Sequence, residues 1–497
     1  MLRPPVAAVL LSVATVLGLV CAGCSSTDSP THPAGQAPGR SGSGAGSGAG
    51  GVTTTAATSV PNTSCPASYV SPDPNRPQLR LTFDAAADLR TVTGTEQVRF
   101  VPDLPVRELV FRLTANSPSS VDEGNSIRVT AASADPAGAP FRVEPAAAPA
   151  GTQGGLLVIP LGRLVPAGVP VTARVAFRLR LGDKAFDRFG RDGSYAWWGS
   201  GQPLLAWERG VGWHREPLLR FVGESATSEA AQIDLTVTAP ARDTVLASGT
   251  PDPPVAAGNG MRRWHSSADR ARDVSVAVGP FVTKEATVGA VRLVVGTPAG
   301  SAPDALLREH ARAIRELSAR FGPFPFPVLS VARLPIGGGG IEYPGSILML
   351  DSGRLVAVHE TAHQWFYGMV GDAQARDPWL DEAFATYAEA LVDGSGGSGT
   401  ATGSDGGGVL NQPGRVGGSM TDFGSDEAGY YRTVYDKGAA ALLAARSAAG
   451  GARFDAALRC YINVNAWRIA RPADLAAALR QLPAALAVLR KAGALPN

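Results

Sequence analysis

Apolar and polar residues alternate with a period of two along the first half of the chain. Gln78-Leu79-Arg80-Leu81-Thr82-Phe83 does so, as do Glu96-Gln97-Val98-Arg99-Phe100-Val101 and Glu108-Leu109-Val110-Phe111-Arg112-Leu113. That period puts every second side chain on one face, the mark of a half-buried strand. More strands are expected at 171–181, 232–238 and 244–248, set apart by turns rich in Gly, Pro and Asp. A β domain over 65–284 follows. Beyond it the period lengthens. A helix is expected over 303–321, another from about 378 to 392, and three or so alanine-rich helices after Tyr435. The chain after 284 therefore reads as mostly helical.

The apolar run 6–20 follows a single basic residue, Arg3. It is shorter than the about 20 residues that span a bilayer and reads as a secretory signal over 1–23. Ala22-Gly23-Cys24 resembles a bacterial lipobox, with cleavage before Cys24 and lipid on its sulfur; Cys21 stands where leucine is usual. A plain signal peptide is the alternative. Residues 24–64 are mostly Ser, Gly, Thr, Ala and Pro, too poor in apolar bulk to build a core, and read as a flexible linker. A second Gly/Ser-rich stretch, 394–418, reads as a surface loop. An exported, lipid-anchored protein facing outward from the cell membrane is the expected location.

Chemistry concentrates in one segment. His359-Glu360-Thr361-Ala362-His363 is H-E-x-x-H, in a chain with only six histidines. On a helix, histidines four apart share a face and reach one metal ion. The glutamate between them can take a proton from water. Leu355, Val356 and Val358 before the motif, and Trp365 and Phe366 after it, would pack that helix into a core. Downstream, Asp377-Pro378 reads as a helix N-cap with proline in the first turn, which places Glu382 near the start of the next helix. His359, His363 and Glu382 make three protein ligands with one position open, the catalytic form of a zinc site. The bland alternative is a buried helix with two satisfied histidines.

The run HETAHQWFYGMV…DPWLDEAFATYAE resembles the zinc signature of the aminopeptidase N-like family of gluzincin metallopeptidases, in the form of a compact bacterial member. The resemblance implies one Zn²⁺ per chain on His359, His363 and Glu382, with Glu360 as general base. Asp381 and Ala383 depart from the family's Asn and Gly beside the third ligand. Gly339-Gly340-Ile341-Glu342-Tyr343-Pro344 is similar to the family's G-x-M-E-N motif, with Ile341 for Met and Tyr343 for Asn. That likeness assigns Gly339, Gly340 and Glu342 to substrate binding, in an edge strand whose Glu holds a peptide's α-amine. Tyr435-Asp436-Lys437-Gly438-Ala439 resembles Y-x-K-G-A, whose Tyr stabilises the tetrahedral intermediate; a core tyrosine is the alternative reading. The stretch from Trp207 to Pro217 looks like the inner edge of the family's β domain. There His214 and Glu216 could touch substrate, although a polar interface between domains is the more ordinary role.

The implied fold is multidomain α+β: an antiparallel β domain, then a thermolysin-like, mostly helical catalytic domain over 285–497 with a short helical C-terminal tail. The implied activity is aminopeptidase action on peptides at the bacterial cell surface. A zinc endopeptidase and an inactive zinc-binding surface lipoprotein are the alternatives. A net charge of +2 points to no nucleic acid and to no strongly acidic partner. Oligomeric state and side-chain preference are left open. Of four cysteines, Cys65 and Cys460 remain after the signal and the lipid, and could form one disulfide.

Overall fold

The computed structural model describes residues 65–183, 188–220, 227–393 and 406–496. The signal, Cys24, the linker and residues 394–405 lie outside them. Among the described residues no helix is long and apolar enough to cross a membrane.

The alternating segments all become strands: Gln78–Ala85, Thr91–Phe100, Val106–Arg112, Val171–Arg180, Ala231–Pro240 and Thr244–Ala247. Most of them join one eight-stranded sheet. Its inward residues, among them Leu81, Phe83, Val98, Phe100, Val175 and Phe177, share a core with Leu109, Phe111, Leu157 and Trp198. The sheet is not purely antiparallel, because Gln78–Ala85 runs parallel to Ala231–Pro240. Gly94 has a packing reason: a Cβ there would lie 2.1 Å from the Phe177 ring.

A five-stranded sheet begins the second half, and of its strands only the edge one at Gly340–Tyr343 was expected. Its order is Val282–Val288, Val291–Thr297, Val328–Arg333, Ser346–Met349, Gly340–Tyr343. The first of these strands runs across the 284/285 boundary. The helix Asp304–Phe321 connects two parallel strands of this sheet and buries Leu306, Leu307, His310, Ala313, Ile314, Leu317 and Phe321, which recur every third or fourth residue. Gly340–Tyr343 lies at the sheet's edge, antiparallel to Ser346–Met349.

The helical core gathers Val358, Ala362, Trp365, Phe366, Phe384, Tyr387, Leu442 and Tyr461. Among the described residues four helices follow Tyr435, in line with the three or so expected: Gly438–Ala449, Gly451–Asn465, Pro472–Ala478 and Pro483–Lys491. Within the stretch read as loop, Gly406–Leu410 is a short helix. The expected helix at 378–392 is split. Pro378–Leu380 is a 3₁₀ turn, Glu382–Asp393 is the α-helix, and Asp377 makes no side-chain cap. Asp381, at the break, accepts from Phe384 and Ala385 through its backbone carbonyl.

Candidate metal centre

The motif helix, Arg354–Ala362, buries Ala357, Val358, Glu360, Thr361 and Ala362 and ends at His363. His310 from the helix behind it donates from Nδ1 to Thr361 Oγ1 at 2.9 Å, while that hydroxyl donates to the Ala357 carbonyl at 2.6 Å. Burial pushes His310 down to about 3, so it stays neutral.

Each motif histidine is held by a carboxylate. His359 Nδ1 donates to Glu389 Oε1 at 2.6 Å, and His363 Nδ1 donates to Asp381 Oδ1 at 2.5 Å. Both Nε2 atoms then face Glu382 Oε2, at 3.2 and 3.4 Å. The three donor atoms lie within 4.8 Å of one another. Two imidazoles with Nδ1 fixed and Nε2 convergent on a buried carboxylate form a donor set that suits Zn²⁺. In this arrangement burial alone would lower His359, but Glu382 and Glu389 carry it up to about 10. Burial would raise Glu382, and the two histidines hold it below the usual carboxylate range instead.

The other candidates surround this group. Oxygens of Glu342 and Glu360 lie within 4.8 Å of each other and of a His363 nitrogen. Burial pushes Glu360 up to about 7 and Glu342 up to about 8, against the pull of the neighbouring histidines. Gly340 touches the Glu360 side chain: an added Cβ would lie 2.5 Å from its Cδ. Gly339 faces open space and contributes its carbonyl to Leu350 N at 2.9 Å. Tyr435 sits in a π-helical turn, Tyr431–Lys437, a form frequent at functional sites. Its ring lies parallel to that of His359, 5.9 Å between centroids, and its phenol is hydrogen-bonded to Glu382. Lys437 of the same motif donates to the carbonyls of Gln412 and Gly414. Gly438 admits Ala383, whose Cβ would be 2.6 Å from an added one, so the two helices meet closely there.

Tyr343, which stands where the resembled motif has Asn, meets Arg188 and Gly199 of the β half with its phenol. Its phenol accepts from Arg188 Nη1 at 3.3 Å and fills the place a Gly199 side chain would take, 1.9 Å from that Cβ position. His214 and Glu216 belong to a polar network. His214 bonds Glu208 at 2.7 Å and Glu216 at 2.9 Å, and Glu208 also accepts from Arg376 at 2.6 Å and from Arg471 at 2.5 Å. These are the ordinary interface contacts, with Arg376 and Arg471 from the catalytic half. Glu389 was missed from sequence, although it follows Glu382 by seven residues and so shares its helix face.

No protein-family model matches the chain. Several solved structures share its fold. An M1 zinc metallopeptidase from Deinococcus radiodurans is 24% identical with TM-score 0.62, over 84% of this chain and 92% of that one. A mutant M1 zinc metallopeptidase from the same organism, bound to a Tyr-Ser-Ala substrate, is 25% identical with TM-score 0.62, over 85% and 94%. A two-domain M1 zinc metallopeptidase mutant bound to L-tryptophan is 23% identical with TM-score 0.64, over 86% and 96%. A sheet-rich first part and a helical second part, over more than four-fifths of its length, give this chain the two-domain fold of the M1 zinc metallopeptidases.

Proposed function

We propose that the protein is a zinc-dependent aminopeptidase that acts on peptides at the bacterial cell surface and is held to the membrane by lipid on Cys24. One observation carries the peptidase reading: His359, His363 and Glu382 converge as donors while Glu360 and Glu342 lie beside them. The relatives of like fold that hold an amino acid or a tripeptide support a peptide substrate.

In this reading His359, His363 and Glu382 hold one Zn²⁺, which supplies Lewis acidity to the scissile carbonyl and to water. Glu360 accepts the proton of the attacking water on a carboxylate oxygen and delivers it to the leaving amine. Tyr435 donates its phenol proton in a hydrogen bond that strengthens as charge grows on the carbonyl oxygen. Glu342 pairs with the substrate's ammonium group, and so sets which peptide bond lies at the reacting centre. Placement at the membrane rests on the Ala22-Gly23-Cys24 pattern and on the apolar run before it.

The test compares wild type, Glu360→Gln and Glu342→Ala on one peptide, with its N-terminus free and acetylated. Glu360→Gln should keep its zinc and lose most turnover. Glu342→Ala should cut kcat/KM roughly 30- to 1000-fold on the free peptide, the loss of a charged hydrogen bond, and far less on the acetylated one. Equal wild-type rates on both peptides, with internal cleavage, would replace the aminopeptidase by the endopeptidase. Zinc binding with no cleavage of either would leave only a binding role. Fractionation of cells carrying Cys24→Ala checks the anchor, since that variant should leave the membrane fraction.

A further inference from the structure

Residues 65–77 form a strap laid over both halves of the protein. At its start the strap meets the helix Gly451–Asn465. Asn463 Nδ2 donates to the Pro66 carbonyl at 2.8 Å, and Val70 N donates to the Asn463 carbonyl at 3.0 Å. Further on, Tyr69 Oη donates to the Pro323 carbonyl at 2.5 Å and accepts from Trp365 Nε1 at 3.2 Å, two residues past the metal motif. Asp73 then pairs with Arg209 at 3.3 Å, and Arg76 with Asp269 at 2.7 Å, on the β half.

Cys460 stands three residues before Asn463, one turn away on the same helix face. The Asn463 contacts therefore bring the head of the strap back over Cys460, and the residue there is Cys65. The two are free thiols, Cys65 exposed and Cys460 half-buried, within hydrogen-bonding reach of each other. They are 395 positions apart in sequence, and no other cysteine lies among the described residues. An exported protein with two thiols in this relation has the arrangement from which a cross-link closes.

The geometry points to a Cys65–Cys460 disulfide that fastens the strap to the helix Gly451–Asn465. Its formation needs a two-electron oxidant, here a disulfide donor. The exposed Cys65, as thiolate, attacks one donor sulfur, and the donor's other sulfur leaves as a thiol. The mixed disulfide on Cys65 is then attacked by Cys460, which gives up its proton, and the second donor thiol leaves. Two protein thiols lose two electrons and two protons, and the donor disulfide gains them. Burial and the hydrogen bond to Cys65 push Cys460 up to about 12, so the free pair is slow to react from that side. The first step takes place at the exposed sulfur and removes that hydrogen bond. The mechanical consequence is specific. Any pull on the chain ahead of Cys65 would be borne by the helix through the bridge, and not by the Tyr69–Trp365 contact behind the metal motif.

The test uses the full chain treated with oxidised glutathione, then digested without reduction. The peptides holding Cys65 and Cys460 should appear linked, two hydrogens lighter than their sum. Reduction should lower Tm by about 3–6 °C, the scale expected for one bridge closing a long loop. Cys65→Ser and Cys460→Ser should both fold, show no linked peptide, and have a Tm indifferent to reductant. Separate glutathione adducts on the two cysteines with no linked peptide would overturn the bridge. A linked peptide whose reduction leaves Tm unchanged would overturn its role as a fastening.

Discussion

Glu389 shows how much of a metal site sits one bond beyond its ligands. Its carboxylate fixes the His359 ring through Nδ1, as Asp381 fixes His363, and leaves Nε2 of each as the outward donor. A ligand whose ring can turn binds less tightly, because the metal must then order it. Glu389→Ala should therefore lower zinc affinity about 10- to 100-fold, measured by competition with a chelator, with the fold kept. Unchanged affinity would show that packing alone orients His359. The three converging donors were readable because their spacing is a property of one helix and its successor. Glu389 was readable in principle from the same periodicity. Tyr343 was not, since its partner Gly199 is remote in sequence and only the fold brings them together.

At the scale of elements, the edge strand Gly340–Tyr343 and the motif helix are fitted to each other at one glycine. Gly340 carries no side chain where the Glu360 carboxylate lies, and that carboxylate is buried. A methyl group there would have to displace that carboxylate. Gly340→Ala should leave zinc content and KM nearly unchanged and lower kcat by about 100-fold, the cost typical of a misplaced reacting group. An unaltered kcat would mean that Glu360 shifts freely. The motif likeness gives Gly340 to substrate binding and says nothing of this fit, which only the fold brings about. The first-half strands, by contrast, were legible because one of their faces is wet and the alternation survives. The strands Val291–Thr297, Val328–Arg333 and Ser346–Met349 are buried on both faces, so their sequences carry little period to read.

At the scale of the whole molecule, a histidine between carboxylates steadies the joint where Glu208 of the β half meets Arg376 and Arg471 of the helical half. Burial alone would lower His214, but its hydrogen bonds to Glu208 and Glu216 raise it above the ordinary imidazole value. The same bonds, against burial, hold Glu216 down to about 2. A histidine whose folded value is raised stabilises the fold fully below its unfolded value of about 6.5, and the contribution fades as pH climbs through the folded value. The unfolding free energies of wild type and His214→Gln should thus differ most near pH 5.5 and converge in alkaline solution. A difference that stays flat across that range would mean the ring is held as a neutral spacer. The stretch from Trp207 to Pro217 reads as such an interface in the sequence, but its partners do not, because Arg376 and Arg471 come from far along the chain.

The tyrosine seated against Gly199 also decides which side chains the two positions tolerate together. An asparagine at position 343 would leave the space beside residue 199 open, and almost any small side chain could occupy it. With the phenol in that space only glycine is compatible, because any Cβ would fall 1.9 Å from the phenol oxygen. Position 199 is thereby tied to glycine, while position 343 can lose its phenol without a clash.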